Sequence, residues 1–186
     1  MAADSDDRLI ARIGAGDNLA LQALYARHHV KVFRFAMRLL RSEQAAEDVV
    51  SEVFIDVWRN ATKFEGRSEA STWLLAMTRN KAYSVLRKKR EDQFDEEAAS
   101  EIEDTADNPE VAMQKKMKGD LLRACLSQLS VEHREVIDLV YYHEKSVEEV
   151  ALIVGAPEGT VKTRMFSARK RLSQLAQAAG IDRGWP

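Results

Sequence analysis

The stretch that decides the fold is SVEEVALIVGAPEGTVKTRMFSARKRL, from Ser146 to Leu172. Ser146 stands three residues ahead of Glu149, the spacing at which a hydroxyl and a carboxylate cap a helix start reciprocally. Gly155 suits the left-handed conformation that ends a helix, and Pro157 suits the first turn of the next, where a backbone N–H is dispensable. No acidic residue occurs from Thr160 to Gly180. The spacing therefore predicts two helices joined by a tight turn, the second with the profile of a DNA-recognition helix. On a helical wheel Val161, Met165, Ala168, Leu172 and Leu175 share one face and must pack inward. The opposite arc carries Lys162, Thr163, Arg164, Phe166, Ser167, Lys170 and Arg171. Lysines neutralise phosphates, arginine and short hydroxyls read base edges, and an aromatic edge can touch a thymine methyl. The competing reading, a solvated basic helix on an ordinary bundle, gives no reason for Phe166, since a solvated face gains nothing from an exposed ring.

Around this motif the composition favours helix throughout. There are only three prolines and eight glycines, and strong helix formers dominate, so an all-α fold with no sheet is expected. The formal charge of −2 is unpromising for a nucleic-acid binder until it is divided along the chain. Residues 1–90 carry 16 basic and 11 acidic side chains, residues 91–112 carry 10 acids and no base, and residues 113–186 carry 12 basic and 9 acidic. Two basic blocks thus flank an acidic one. The acidic run EDQFDEEAASEIEDTADNPE, Glu91 to Glu110, has few apolar residues and reads as a flexible linker. The expected organisation is two small helical domains, over 1–91 and 113–180, joined by a linker over 92–112.

In the first block, apolar residues recur at helical spacing from Leu19 to Leu40, with Asp17 or Asn18 as a cap. Glycines near Gly14 terminate a short first helix. Ser42 caps a second long helix with Ala46, Val49, Val50, Val53, Phe54 and Val57 inward and Trp58 at the border. Its outer face sets Asp48, Ser51, Glu52 and Asp56 around Ile55. An acidic face with an apolar centre suits docking on a basic protein surface, although a solvated face with one stray isoleucine has the same pattern. Ser71 opens a third long helix to Arg90, with Leu74, Leu75, Thr78, Ala82, Val85 and Leu86 inward. Outward, Trp73, Met77, Asn80, Ser84 and Arg87 fall in line beside Arg79 and Lys81, so Trp73 is expected to be exposed. With Phe64 from the preceding polar loop, this resembles a surface where an unstacked base rests while cations hold the strand. Alternatively, Trp73 packs as core and the basic run only complements the helix dipole. In the second block, helices are expected over 114–129, 131–142, 146–154 and 157–178.

Other chemistries find little support. Cys125 is the only cysteine, which excludes an internal disulfide and a thiolate-rich zinc site and reads as a small core residue. His28, His29, His133 and His143 show no His-Glu-x-x-His pattern, and neither a Walker-type glycine loop nor a serine-nucleophile elbow is present, so no catalytic residue, metal or cofactor is expected. MAADSDDRLI places acids where an export signal has lysines, and no window approaches the apolar length of a membrane span; a cytoplasmic protein without membrane contact of its own is expected.

Together, AEDVVSEVFIDVW (Ala46 to Trp58), STWLLAMTRNKAYSVLR (Ser71 to Arg87) and EGTVKTRMFSARKRL (Glu158 to Leu172) resemble the extracytoplasmic-function sigma factors, a group of the sigma-70 family. The resemblance covers nearly the whole chain. It implies a non-catalytic specificity subunit of RNA polymerase, whose first block is a region 2 domain docking on the β′ coiled coil through Asp48, Ser51, Glu52 and Ile55. It implies that Phe64, Trp73, Arg79, Asn80 and Arg87 bind and help open the minus-10 element of promoter DNA. The last block would be region 4, a partner of the β flap that meets the minus-35 element with Lys162, Thr163, Phe166 and Ser167, and an anti-sigma factor would hold the protein inactive. Ser51, Ser84 and Ser167 depart from the family pattern, where glutamine, aspartate and arginine are usual; the last change should alter which minus-35 bases are read. The rival is a stand-alone helix-turn-helix regulator, which accounts for the last block only.

Overall fold

The computed structural model describes residues 4–95 and 121–180. Most of the expected linker, and the start of the helix expected at 114, lie outside the described residues. Among the described residues, all regular structure is helical: α1 (Asp6–Gly14), α2 (Asn18–Leu40), α3 (Glu43–Asn60), a single 3₁₀ turn (Ala61–Lys63), α4 (Ala70–Asp95), a helical stretch over 121–127, α5 (Val131–Tyr141), α6 (Val147–Val154) and α7 (Glu158–Ala178).

Local capping explains most of the boundaries. Asp17 accepts from the N–H groups of Leu19 and Ala20, Ser42 from Ala45, and Ser130 from His133, each satisfying a donor that the first helical turn leaves free. Two boundaries differ from expectation. α4 starts at Ala70 rather than Ser71, and Ser71 Oγ accepts from Lys145. The same helix runs on to Asp95, past the end expected at Arg90.

The first core is built where α1, α3 and α4 pack around α2, with Leu24, Val32, Ala36, Val49, Val53, Val57 and Leu74 buried. At about 1.5–3 kcal/mol for each fully buried Val or Leu side chain, this bundle needs no sheet or disulfide. The second core collects Val136, Leu139, Val150, Ile153, Val161, Met165 and Ala168 from α5, α6 and α7, and it also draws in Phe35, Leu39, Leu75 and Ala82 from α2 and α4. Cys125 is a free, buried thiol, as expected of a small core residue. The two helical blocks are therefore packed against each other, α5 on α2 and α6 on α4.

Candidate nucleic-acid interface

The turn that carries the last helix is assembled as its sequence dictates. Ser146 Oγ accepts from the Glu149 N–H at 3.2 Å, and the Ser146 N–H donates to Glu149 Oε2 at 3.0 Å, closing a reciprocal cap. α6 then stops at Gly155, whose φ of 63° lies in the left-handed region that favours glycine. Pro157 precedes α7, and Val161, Met165, Ala168 and Leu172 are buried beneath it. That anchor holds Lys162, Thr163, Phe166, Lys170 and Arg171 outward. Phe166 keeps 70% of its surface exposed, a fraction that only Leu19 equals among the bulky apolar residues described, on a helix whose inner face is fully packed. Lys162 reaches only Glu158, at 3.4 Å, and Thr163 donates to the Gly159 carbonyl at 2.9 Å, so both are held by local bonds that a ligand can replace. Arg164 and Ser167 differ from the outward reading. Both are half-buried, and Arg164 Nη1 is buried without a hydrogen-bond partner among the described residues, because its position on the wheel borders the α5 side.

On α4 the candidate set is divided. Phe64 and Trp73 meet with ring centroids 5.0 Å apart, and both lean on the first core. Trp73 is half-buried rather than exposed: its position borders the inward stripe, so the indole shares its surface between core and solvent. Asn80 and Arg87 are both exposed. Asn80 lines a shallow groove with Glu52, Lys81, Ser84, Val85 and Lys88, while Arg87 lies further along the same helix, outside that groove. Arg79 is not a free cation. Its guanidinium pairs with Glu135 of α5 and lies 4.3 Å from the centre of the Tyr83 ring, an engagement that helical periodicity could not report.

The outer face of α3 matches the sequence reading more closely. Asp48, Ser51, Glu52 and Ile55 are all exposed, with Ile55 at 48%, and Trp58 borders them at 38%. Lys81 bridges from α4 to Asp56 at 2.7 Å and Glu52 at 3.2 Å. Burial works against the Lys81 ammonium, but these two carboxylates outweigh it and raise its pKa, fixing the α3 face relative to α4.

Residues that the sequence reading passed over join the two blocks. Lys145, buried, donates to Glu69 Oε2 and Ser71 Oγ at 2.8 Å and to Glu149 Oε1 at 2.7 Å. Thr72 Oγ1 donates to the same Glu149 oxygen at 2.7 Å. Burial alone would raise the Glu149 carboxyl, but the bonds from Lys145, Ser146 and Thr72 hold it down at about 2. Tyr83 donates to Glu135 Oε2 at 2.7 Å, and burial together with that carboxylate pushes the phenol upward. The only signal for these contacts in the sequence is the presence of charged residues at inward positions of α5, such as Glu135 and Asp138.

The family models match in the order these surfaces take along the chain: Sigma-70 region 2 over residues 24–91 and Sigma-70 region 4 over residues 119–172. The chain belongs to the extracytoplasmic-function sigma factors of the sigma-70 family. The ECF RNA polymerase sigma factor SigL of Mycobacterium tuberculosis is 29% identical over 181 residues, covering 94% of this chain and 98% of its own. The sigma factor RpoE, solved in complex with the anti-sigma factor NepR from Bartonella quintana, is 29% identical with a TM-score of 0.71, covering 87% of this sigma factor and 98% of that chain. CnrH, solved in complex with the cytosolic domain of CnrY, is 24% identical with a TM-score of 0.69 over 94% and 99% of the two chains, a likeness of fold. Among the described residues of this sigma factor no group of three or more His, Cys, Asp or Glu could hold a metal ion, and no helix is long and apolar enough to cross a membrane.

Proposed function

We propose that this sigma factor works in the cytoplasm as a non-catalytic subunit of RNA polymerase and selects the promoters at which transcription starts. The polymerase core performs the chemistry; the sigma chain supplies DNA recognition and a grip on the β′ coiled coil and the β flap. Its functional domains are residues 1–91 and 113–180, with the acidic 92–112 segment as the tether. Asp48, Ser51, Glu52 and Ile55 form the polymerase contact, where charge steers and Ile55 adds affinity on burial. Lys162, Thr163, Arg164, Phe166, Ser167, Lys170 and Arg171 meet the minus-35 element in the major groove. Phe64, Trp73, Arg79, Asn80 and Arg87 take the minus-10 strand, with the aromatic pair available for base stacking.

The observation that carries this reading is the exposed ring of Phe166 among cations on a helix whose opposite face is buried, following a region 2 bundle with its own polymerase-type face. A stand-alone regulator leaves the α3 face and the α4 aromatics without a purpose. An anti-sigma factor restrains the protein by covering these surfaces, a role supported by the RpoE relative having been solved with one. The test is run-off transcription with purified core polymerase on a promoter library, comparing the native chain with Trp73→Ala, Asn80→Ala and Lys162→Ala. Initiated transcripts are expected with the native chain and fewer with each variant. Absence of sigma-dependent transcripts on every template refutes the reading.

A further inference from the structure

Three cations that are buried or half-buried between the blocks have carboxylate partners: Arg79 pairs with Glu135, Lys145 with Glu69 and Glu149, and Arg38 with Asp138 at 3.1 Å. Arg134, on the first turn of α5, breaks this pattern. It keeps only 5% of its surface exposed, its Nε is enclosed without a hydrogen-bond partner, and among the described residues no carboxylate forms an ion pair with it. The charges that press on it are of its own sign. Burial, together with the guanidiniums of Arg41 and Arg38 from the cap and last turn of α2, holds the Arg134 pKa down at about 10, which still leaves the side chain charged at neutral pH. The nearby carboxylates are already engaged. Asp138, one turn further along α5, takes Arg38 and lies 3.3 Å from His143, while the exposed Glu132 is bonded to Ser130 and attracted by Arg164. Arg41 donates to the neutral Ser127 carbonyl, and Arg34, one turn before Arg38, to the Tyr142 hydroxyl. Burying an unpaired charge costs far more than burying a paired one, so a guanidinium held in this state signals a counterion that belongs to the site.

We infer that Arg38, Arg41 and Arg134 form an oxyanion site at the seam of α2 and α5, which takes a small phosphate-class anion with Arg134 as its floor and Arg38 and Arg41 as its solvent-facing walls. Arg41 is exposed and the Arg38 side chain keeps 36% exposure, so the anion reaches the site without crossing either packed core. The ligand class follows from the donors. A guanidinium presents a planar fork that binds phosphate oxygens in pairs. Three of them against the single ion-paired carboxylate of Asp138 leave a surplus of two positive charges. A multiply charged oxyanion closes that balance, whereas chloride brings one charge and no oxygens for the forks. None of the three arginines is among the residues assigned above to a promoter element or to the polymerase, so the site goes beyond that reading and does not rest on it.

The test uses the full chain and inorganic pyrophosphate as the probe, titrated by isothermal calorimetry in chloride buffer at constant ionic strength. Saturable binding at a single site is expected. Arg134→Gln should weaken it about tenfold, as the loss of one charge-assisted bond implies, and Arg41→Gln, at an exposed position, about threefold. Arg67→Gln, a side chain 84% exposed that pairs with Glu65 away from the site, should bind like the native chain. In chloride alone Arg134→Gln should raise the thermal unfolding midpoint, because it removes an uncompensated buried charge; pyrophosphate should raise the midpoint of the native chain but not of this variant. Absence of saturable binding, equal weakening by Arg67→Gln, or native affinity in both Arg134→Gln and Arg41→Gln overturns the site. So does a midpoint that falls in Arg134→Gln with its helical signal retained, since Arg134 would then already be compensated. A short DNA duplex at equal phosphate concentration separates the two sources of phosphate: it should fail to displace pyrophosphate, and displacement assigns Arg134 to a DNA backbone and overturns the small-anion site. If Arg134→Gln loses helical signal by circular dichroism, Arg41→Gln decides alone. The titration contains neither polymerase nor promoter, so its failure leaves the sigma assignment standing, and failure of run-off transcription leaves the oxyanion site standing.

Discussion

Acidification should weaken this protein as Glu149 loses its charge. Its carboxyl is held at about 2 against an ordinary 4.5, by Lys145, the Ser146 N–H and Thr72 acting against burial. A folded-state value below the unfolded one contributes stability that is complete above pH 4.5 and is lost as pH falls from 4.5 toward 2. At about 1.4 kcal/mol per unit the full shift corresponds to roughly 3 kcal/mol, and solvent screening of the partly exposed carboxylate reduces this to about 2 kcal/mol. The perturbation is Glu149→Gln, which keeps the shape and part of the capping geometry but removes the charge from Lys145. In urea unfolding followed by circular dichroism, the variant should be about 2 kcal/mol less stable than the native chain at neutral pH, and that difference should shrink by more than half by about pH 3. Thr72→Val completes a double-mutant cycle, because Thr72 touches Glu149 from the other block. A coupling of about 1 kcal/mol is expected at neutral pH. A stability difference independent of pH, or a coupling of zero, would refute the reasoning: the first removes the charged network, the second the contact between blocks.

Three further outcomes are expected. Gly155→Ala should cost about 1 kcal/mol in urea unfolding, since a Cβ there meets no atom within 4 Å and only the positive φ is strained; an unchanged midpoint contradicts the left-handed cap. Lys162→Ala should flatten the salt dependence of upstream-element binding by holoenzyme, lowering the log–log slope by about 0.9 because one phosphate is no longer neutralised; an equal slope shows that Lys162 does not touch phosphate. Ile55→Ala should weaken core polymerase binding about tenfold in a fluorescence titration while leaving the unfolding midpoint in place, because this side chain is half exposed in the free chain; unchanged affinity removes it from the docking surface.

Sequence alone determined the helices and the turn between α6 and α7. Their signals are local: Ser146 and Glu149 bond within one turn, Gly155 supplies its own backbone freedom, and the apolar stripe of α7 repeats at the helical period. The exposed faces of α3 and α7 were legible for the same reason, since a residue off the stripe points away from its own core. Tertiary structure alone decided what each remaining face meets. Periodicity placed Arg79 beside the outward line of α4 and gave no sign of its partner Glu135: the two stand 56 residues apart, and Thr72 and Glu149 stand 77 apart. A stripe records that a side chain is apolar, polar or charged, whereas the choice between solvent, nucleic acid and a second helical block depends on which distant surface offers the complementary charge. The half-buried Trp73 and Arg164 have the same cause: both sit at the edge of a stripe, where the neighbouring helices decide how much solvent is left.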